Sequence, residues 1–543
     1  MDSAPPSLRF AFHRWVAGKL VTFSGIDGPT DWTHGLTLRS LPGPAPSLAI
    51  KLPAEGTLTL LDEAPDAAGI ASDHFFARAG SRVVRGVMAD AHHLLIAGEV
   101  SGLELPPELC AERRPGRLLI GVASHFDPRW LEADLDALVA LRAAWPESHP
   151  APPGLSEAEQ AAWTTAIHQM KTMVYAPEGR ITSRYSTPDR WPHRGMWLWD
   201  SAFHAVGYRH LDPALARDLL DAVLCGQRAD GLIPIRCDPG PEWNCPEMTQ
   251  PPTLAMAAAL VDASAPDPDW LARFAPRVAA SLQWNARHRD TDGGGLLEWD
   301  IEPNPNCRSG ESGMDNSSRF DAATQLDAVD FNAFQSRECE HLAEFARAAG
   351  DLPEAARWAG EHSRLNALIR DRLWNPDTRF FHDLDPATGQ LSPVMANSGF
   401  LPLICGAATP EQAAALADHL LDPLTFGTPL RVPSIARCQP EHYSKDMWRG
   451  PVWINFNWLI IGGLRRYGFG DLADDLATET VAELVRWHSE YGTFFEFFDD
   501  RRELPPPKLL RKGRCAPEVS YYHQAFFDYG WSATLFVDLI ASR

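Results

Sequence analysis

The sequence predicts a mostly α protein, a toroid of helical hairpins with an antiparallel β-sandwich at its N-terminal end. Three observations predict it. From Ser156 onward, apolar residues recur at helical spacing in about a dozen segments. Before residue 125 they fall instead in short, alternating runs punctuated by Gly, Pro, Asp and Asn. The residues best suited to chemistry sit in the longer of the inter-helix loops, as expected if those loops rim one end of a central cavity.

Taken in order, V-T-F-S-G, L-T-L-R-S, L-A-I-K-L, L-T-L-L, R-V-V-R-G-V, H-H-L-L-I-A-G-E-V and R-L-L-I-G-V-A read as strands of a sandwich. Leucines at helical spacing between Trp130 and Trp145 predict a bridging helix, and the Pro-rich P-E-S-H-P-A-P-P-G after it reads as a linker. The expected division is a sandwich over 1–128, a helical linker over 129–154 and a helical domain over 155–543. The first helix of that domain opens at Ser156, with Gln160 one residue beyond capping-box spacing. Further helices are predicted at about 200–211, 213–227, 251–263, 268–288, 321–349, 353–373, 409–421, 451–466, 471–489 and 530–541. No short-period repeat of the solenoid kind is present.

The chain has 543 residues and a formal net charge of −22, which argues against nucleic-acid and anionic-membrane partners. The 19 Trp lean towards carbohydrate, because indole faces stack on the apolar faces of sugars. No run reaches membrane-span length, and the N-terminal M-D-S-A-P-P lacks signal-peptide character. The nine Cys are scattered without a C-x-x-C, and Cys237 with Cys245 lacks the neighbours that would complete a zinc site. Reduced thiols and a cytoplasmic location are the expectation. Oligomeric state is not legible.

Two stretches bring contrasting carboxylates. Glu311–Asp321, E-S-G-M-D-N-S-S-R-F-D, places Asp315 on a polar turn ahead of a helix, either facing a cavity or closing an Asx-turn. Phe494–Asp499, F-F-E-F-F-D, sets Glu496 among four Phe, where burial raises a carboxyl pKa. One polar and one apolar carboxylate suit glycoside hydrolysis. W-P-H-R-G-M-W-L-W-D-S-A-F-H offers Trp197 and Trp199 as sugar platforms, with Asp200 as hydroxyl acceptor or helix cap. Gln250 precedes Pro251-Pro252, where helix is disfavoured, so its amide should point out of the turn. Arg449, beside Trp448, offers a donor fork at a rim or an ion pair with a nearby acid, and Trp531 starts the last helix.

In this order W-L-W-D-S-A-F-H, D-G-L-I-P, Q-P-P, S-G-M-D-N-S, W-R-G-P-V-W-I-N-F-N-W, E-F-F-D and G-W-S-A resemble the motifs of glycoside hydrolase family 63. They are nearest its bacterial mannosylglycerate and glucosylglycerate hydrolase branch, with a more distant likeness to family 37 trehalases. The resemblance runs from about residue 155 to the end. It implies an (α/α)6 barrel and hydrolysis of an α-glycosidic bond with inversion, Asp315 as general acid and Glu496 as general base. Trp197, Trp199, Asp200, Gln250, Trp448, Arg449 and Trp531 would line the site. Neither a metal nor an organic cofactor is required. Ser318 departs from the family's S-P-R and is expected to loosen the turn, and Phe replaces Tyr around Glu496. The rival readings are a trehalase or other disaccharidase, an epimerase using His193, His204, His442 and His523 as proton shuttles, and a non-catalytic sugar-binding toroid.

Overall fold

The computed structural model describes residues 13–240, 247–513 and 524–543, so Cys245, Cys515 and His523 lie outside the described residues. Strands β1 (His13–Arg14), β2 (Leu20–Thr22), β3 (Thr37–Ser40), β4 (Ser47–Leu52), β5 (Gly56–Thr59), β6 (Ala67–Ile70), β7 (His74–Ala79), β8 (Arg82–Met88), β9 (His93–Ala97), β10 (Gly102–Glu104), β11 (Leu109–Arg114) and β12 (Arg117–Val122) form two sheets. Their orders are β1-β6-β7-β8-β9-β12-β11 and β10-β5-β4-β3-β2, all pairings antiparallel. Alternate residues point inward, so Leu38, Leu48, Ile50 and Leu58 of one sheet meet Val84, Leu94, Ile96 and Ile120 of the other in one core. The intervening Val87, Leu95 and Leu119 face outward and are covered by Leu135 and Val139 of α1 (Leu135–Glu147). That helix begins later than the Trp130 predicted, because Asp134 caps it through the backbone N–H groups of Asp136 and Ala137.

Helices α2 (Glu157–Met173), α3 (Leu198–Tyr208), α4 (Pro213–Cys225), α5 (Leu254–Ser264), α6 (Pro268–His288), α7 (Val329–Ala348), α8 (Leu352–Arg372), α9 (Pro402–Cys405), α10 (Pro410–Leu421), α11 (Ile454–Arg466), α12 (Gly470–Tyr491) and α13 (Gly530–Ala541) follow. Among the described residues α3, α5, α7, α9, α11 and α13 pack each against the next and α13 back against α3, closing a ring. The remaining helices lie outside it: α2 on α13, α4 on α3, α6 and α8 on α7, α12 on α11. This is an (α/α)6 barrel. The inner helices are buried nearly all round: all of α13 from Gly530 to Ile540 is buried.

Three local expectations change. The capping box at Ser156 closes on Glu159, not Gln160: Ser156 Oγ accepts from the Glu159 N–H, and the Glu159 carboxylate accepts from the Ser156 N–H. Helix α7 starts at Val329 and not near 321, because Asp327 is held in bridges to Glu298 and Leu384. Ser318 does not loosen its turn, for its hydroxyl donates to the His442 carbonyl while Arg319 forks onto Asp330 and Asp383.

Sandwich and barrel are joined through buried ion pairs. Lys19, 1% exposed, reaches Asp528 at 2.8 Å, and Lys171, fully buried, lies 2.8 Å from Asp27 and 2.7 Å from Asp73. Arg190 donates to the carbonyls of Thr172, Val174 and Phe23. Charges so placed are tolerable only because each has its partner. Among the described residues no helix is long and apolar enough to cross a membrane.

Candidate active site

The segments that lead into the inner helices converge at one end of the ring. A cavity of about 160 Å³ opens there, lined by Trp197, Trp199, Asp200, Gln250, Asp315, Trp448, Glu496 and Trp531 among others. Those eight residues come from six separate stretches of the chain. The size is below the roughly 300–1,000 Å³ of sites for drug-sized ligands and suits one small ring. A larger cavity of about 790 Å³ occupies the other end of the ring, where α3, α11 and α13 finish. Its arginines are already spent: Arg209 on Asp538, Arg337 and Arg466 on Glu340, Arg465 on Asp474 and Arg543 on Glu159. Carboxylates and unpaired polar atoms meet in the smaller cavity.

Trp199 enters the wall on the first turn of α3, its N–H donating to Gln250 Oε1 at 3.2 Å and its ring edge-on to Trp531 at 5.3 Å. Gly313, at φ +71°, passes so close that a Cβ there would lie 2.3 Å from the Trp199 ring, so only glycine fits. Trp448 stacks on Trp453 with centroids 3.8 Å apart and 2° between planes. These indoles are fixed before any ligand arrives. Asp200 does not cap α3, whose cap position is Trp197 with no side-chain hydrogen bond. Its Oδ1 is buried without a hydrogen-bond partner, as are the indole nitrogens of Trp197, Trp448 and Trp531. Orphaned groups of this kind are rare in a folded interior, and here one acceptor and three donors occur around a single cavity. Burial pushes the Asp200 carboxyl well above its ordinary range, and the charges of Asp189, Glu496 and Asp315 push the same way.

Glu496 is 1% exposed and framed by Phe494, Phe495, Phe497 and Phe498, all buried. Its backbone N–H donates to the Phe526 carbonyl, and its carboxylate accepts from the Phe526 N–H at 3.3 Å and from Arg511 Nε at 3.2 Å. Burial raises the Glu496 carboxyl, while Arg511 and His193 draw it down. Asp315, partly exposed on its turn, forms a 2.7 Å ion pair with Lys512, whose ammonium it raises.

Arg449 stands apart from the other expected residues. It forks onto the Asp321 carboxylate and donates to the Asn316 carbonyl, and it does not line the cavity. The ion-pair alternative therefore describes it, and its contact to Asn316 makes it a brace for the turn that carries Asp315. Arg511, Lys512 and Tyr529 line the cavity without having been expected. The only sequence signal for the first two is a basic run, P-K-L-L-R-K-G-R, in the loop before the last helix. Of the histidines offered as proton shuttles, only His193 among the described residues reaches the cavity. His204 is buried against Ser186 and pushed down to about 3 by burial.

A family model described as the mannosylglycerate hydrolase MGH1-like glycoside hydrolase domain matches residues 192–505, more than half of the chain. Mannosylglycerate hydrolase MGH1 of Selaginella moellendorffii is 27% identical over 58% of this chain and 77% of its own. Glucosylglycerate hydrolase of Mycolicibacterium hassiacum is 25% identical over 59% of this chain and 89% of its own. The crystal structure of the GH63 mannosylglycerate hydrolase from Thermus thermophilus in complex with Tris and D-glycerate superposes with a TM-score of 0.57 at 23% identity, covering 70% of this chain and 100% of that one.

Proposed function

This chain belongs to the family of mannosylglycerate hydrolase MGH1-like glycoside hydrolase domains, and from that premise we propose that it cleaves an α-glucosyl or α-mannosyl bond of a small glycoside with inversion. The sandwich over 1–128 and the linker over 129–154 would serve as support for a catalytic unit over 155–543. The observation that carries the reading is the meeting of Asp315 and Glu496, from distant parts of the chain, in one small cavity walled by Trp and holding unpaired polar atoms. Hydroxyls of a sugar can donate to Asp200 Oδ1 and accept from the indole N–H groups of Trp197, Trp448 and Trp531. Desolvated hydrogen bonds of this kind fix a ring's orientation.

In the proposed mechanism Asp315 protonates the departing oxygen, and Glu496 takes a proton from a water on the opposite face of the ring. The family resemblance supplies the order of roles. The charges around the two groups set what each role requires. A base inside four Phe must be kept ionised, and Arg511 and His193 oppose the burial that raises its carboxyl. An acid must carry its proton when the substrate is bound, so the Lys512 pair on Asp315 has to loosen as the leaving group takes its place. The test is a panel of α-glucosides and α-mannosides, including glycerate conjugates, maltose-type disaccharides and trehalose, followed by proton NMR of the anomeric signals in the first minutes. A β-configured sugar released first is expected. An α sugar released first overturns the general-base role of Glu496, and an inert panel overturns the substrate class.

A further inference from the structure

The sandwich carries a cluster that the hydrolytic site does not use. Asp31 lies on the loop between β2 and β3, His92 immediately precedes β9, and His125 ends the turn that follows β12. Ligand-capable atoms of these three residues all lie within 4.8 Å of one another. Asp31 Oδ1 accepts from the N–H groups of Thr33 and His34 at 2.9 and 2.7 Å, which fixes the carboxylate and turns Oδ2 to His92 Nε2 at 2.9 Å. His34, on the same loop, brings Nδ1 to 3.6 Å from that oxygen. The His92 and His125 rings are stacked, 4.1 Å apart with 6° between planes, and the His34 ring lies 5.9 Å from that of His125.

Three imidazoles around one oriented carboxylate need a reason. A hydrogen bond between Asp31 and His92 uses two of the four residues; His34 approaches the same carboxylate, and His125 stacks on His92 with Nδ1 2.9 Å from Ser124 Oγ. Neutral imidazole is the metal-binding form, and a carboxylate already held by backbone N–H groups is the kind of oriented ligand that metal sites use. The donor set is nitrogen-rich, which favours a borderline cation of the zinc class over the all-oxygen preference of calcium or magnesium.

We propose that Asp31, His92 and His125, with His34 as a fourth ligand, bind one divalent transition cation of the zinc class. Zinc–nitrogen bonds of about 2.0–2.1 Å bring ligand atoms to roughly 3.3 Å of each other. Asp31 and His92, at 2.9 Å, would part slightly to admit the ion, and rotation of the exposed His34 and His125 side chains closes the rest. The bound ion would stiffen the loop that joins sandwich to barrel. Trp32, next to Asp31, donates its backbone N–H to Glu178 and its indole N–H to the Arg194 carbonyl at 2.9 Å, and the Arg194 guanidinium lies 4.5 Å from its ring. Arg194 adjoins His193, which lines the catalytic cavity. The ion's role is that of a brace, and the hydrolytic chemistry needs no part of it.

The experiment uses the untagged full chain, stripped with chelator and titrated with Zn2+ by calorimetry, with metal content read by elemental analysis after desalting. One equivalent per chain is expected, together with a zinc-dependent rise in Tm. In His92→Ala/His125→Ala, binding should weaken at least about a hundredfold and the Tm rise should vanish, while the metal-free Tm stays that of the stripped parent. Asp31→Asn should weaken binding at least about tenfold. Failure of the parent to bind Zn2+ stoichiometrically overturns the site. So does zinc binding that is unaltered in the double variant, or a preference for Ca2+ or Mg2+.

Discussion

Arg511→Gln separates the two carboxylates' roles more directly than removing either of them. Arg511 Nε stands 3.2 Å from Glu496, whose carboxyl is 1% exposed. At an effective dielectric of about 20, Coulomb's law gives about 5 kcal/mol for such a pair, a ceiling because dehydrating both groups offsets part of it. Cations beside carboxylates lower their pKa by about 1–3 units, equivalent to roughly 1.4–4 kcal/mol. Gln cannot supply that charge, so in the variant Glu496 should titrate about 1–3 units higher than in the parent. A general base works only when ionised. The acidic limb of the kcat/KM profile should therefore move up in pH by at least about one unit, with activity at neutral pH depressed and regained on the alkaline side. A general acid works only when protonated, so an acid role for Glu496 would move the alkaline limb up instead. The assay is kcat/KM from about pH 4 to 10 on whichever panel substrate is cleaved, with Tm recorded at each pH. An unmoved acidic limb, or a shift confined to the alkaline limb, refutes the assignment of Glu496 as base.

Asp315→Asn and Glu496→Gln should each cut kcat by at least about two orders of magnitude with an unchanged Tm, measured by steady-state kinetics and thermal melts. Asp200→Ala should raise KM by about 2–10-fold, the worth of a hydrogen bond to a carboxyl that burial pushes towards its neutral form at about 0.5–1.5 kcal/mol, read on substrates that share the cleaved sugar but differ in aglycone. Gly313→Ala should both destabilise, by about 1–3 kcal/mol in denaturant melts, and impair turnover, because its Cβ meets the Trp199 ring and its φ of +71° disfavours any side chain. Lys19→Met should lower stability by about 3–5 kcal/mol in the same melts through the unpaired Asp528 it leaves behind, and Asp528→Asn on top of it should restore part of the loss.

The fold is legible in the sequence because each level points the same way. Alternation below residue 125 and helical periodicity beyond Ser156 are set by which faces must be buried, and both reappear in the sheet and ring cores. The departures fall where side chains claim backbone. Asp327 takes the chain into bridges that delay α7, and Ser318 finds a carbonyl on a distant loop, His442, which no local pattern announces. The cavity's walls are legible because each short motif carries its residue to the mouth of an inner helix: Trp197, Trp199, Asp200, Gln250, Trp448 and Trp531 all line it, with Asp315 and Glu496. Arg449 shows the limit. An arginine's reach is longer than the turn it sits on, and only the fold says that Asp321 intercepts it.

The same limit explains why the charge partners of the two carboxylates are hidden in the sequence. Arg511 and Lys512 are adjacent along the chain, yet one faces Glu496 and the other Asp315. Two neighbouring cations thus serve two carboxylates that are themselves far apart in sequence. Reasoning from Glu496 and its four Phe alone predicts a carboxyl raised by burial, the profile of a general acid. Adding Arg511 opposes that burial and favours the ionised form a base must have. Lys512 gives Asp315 a cation, and the ammonium is itself stabilised by that pair. Hydrophobic surroundings alone would suggest an acid in Glu496, and the dipeptide opposes that only in part, for the carboxyl stays raised beside Arg511.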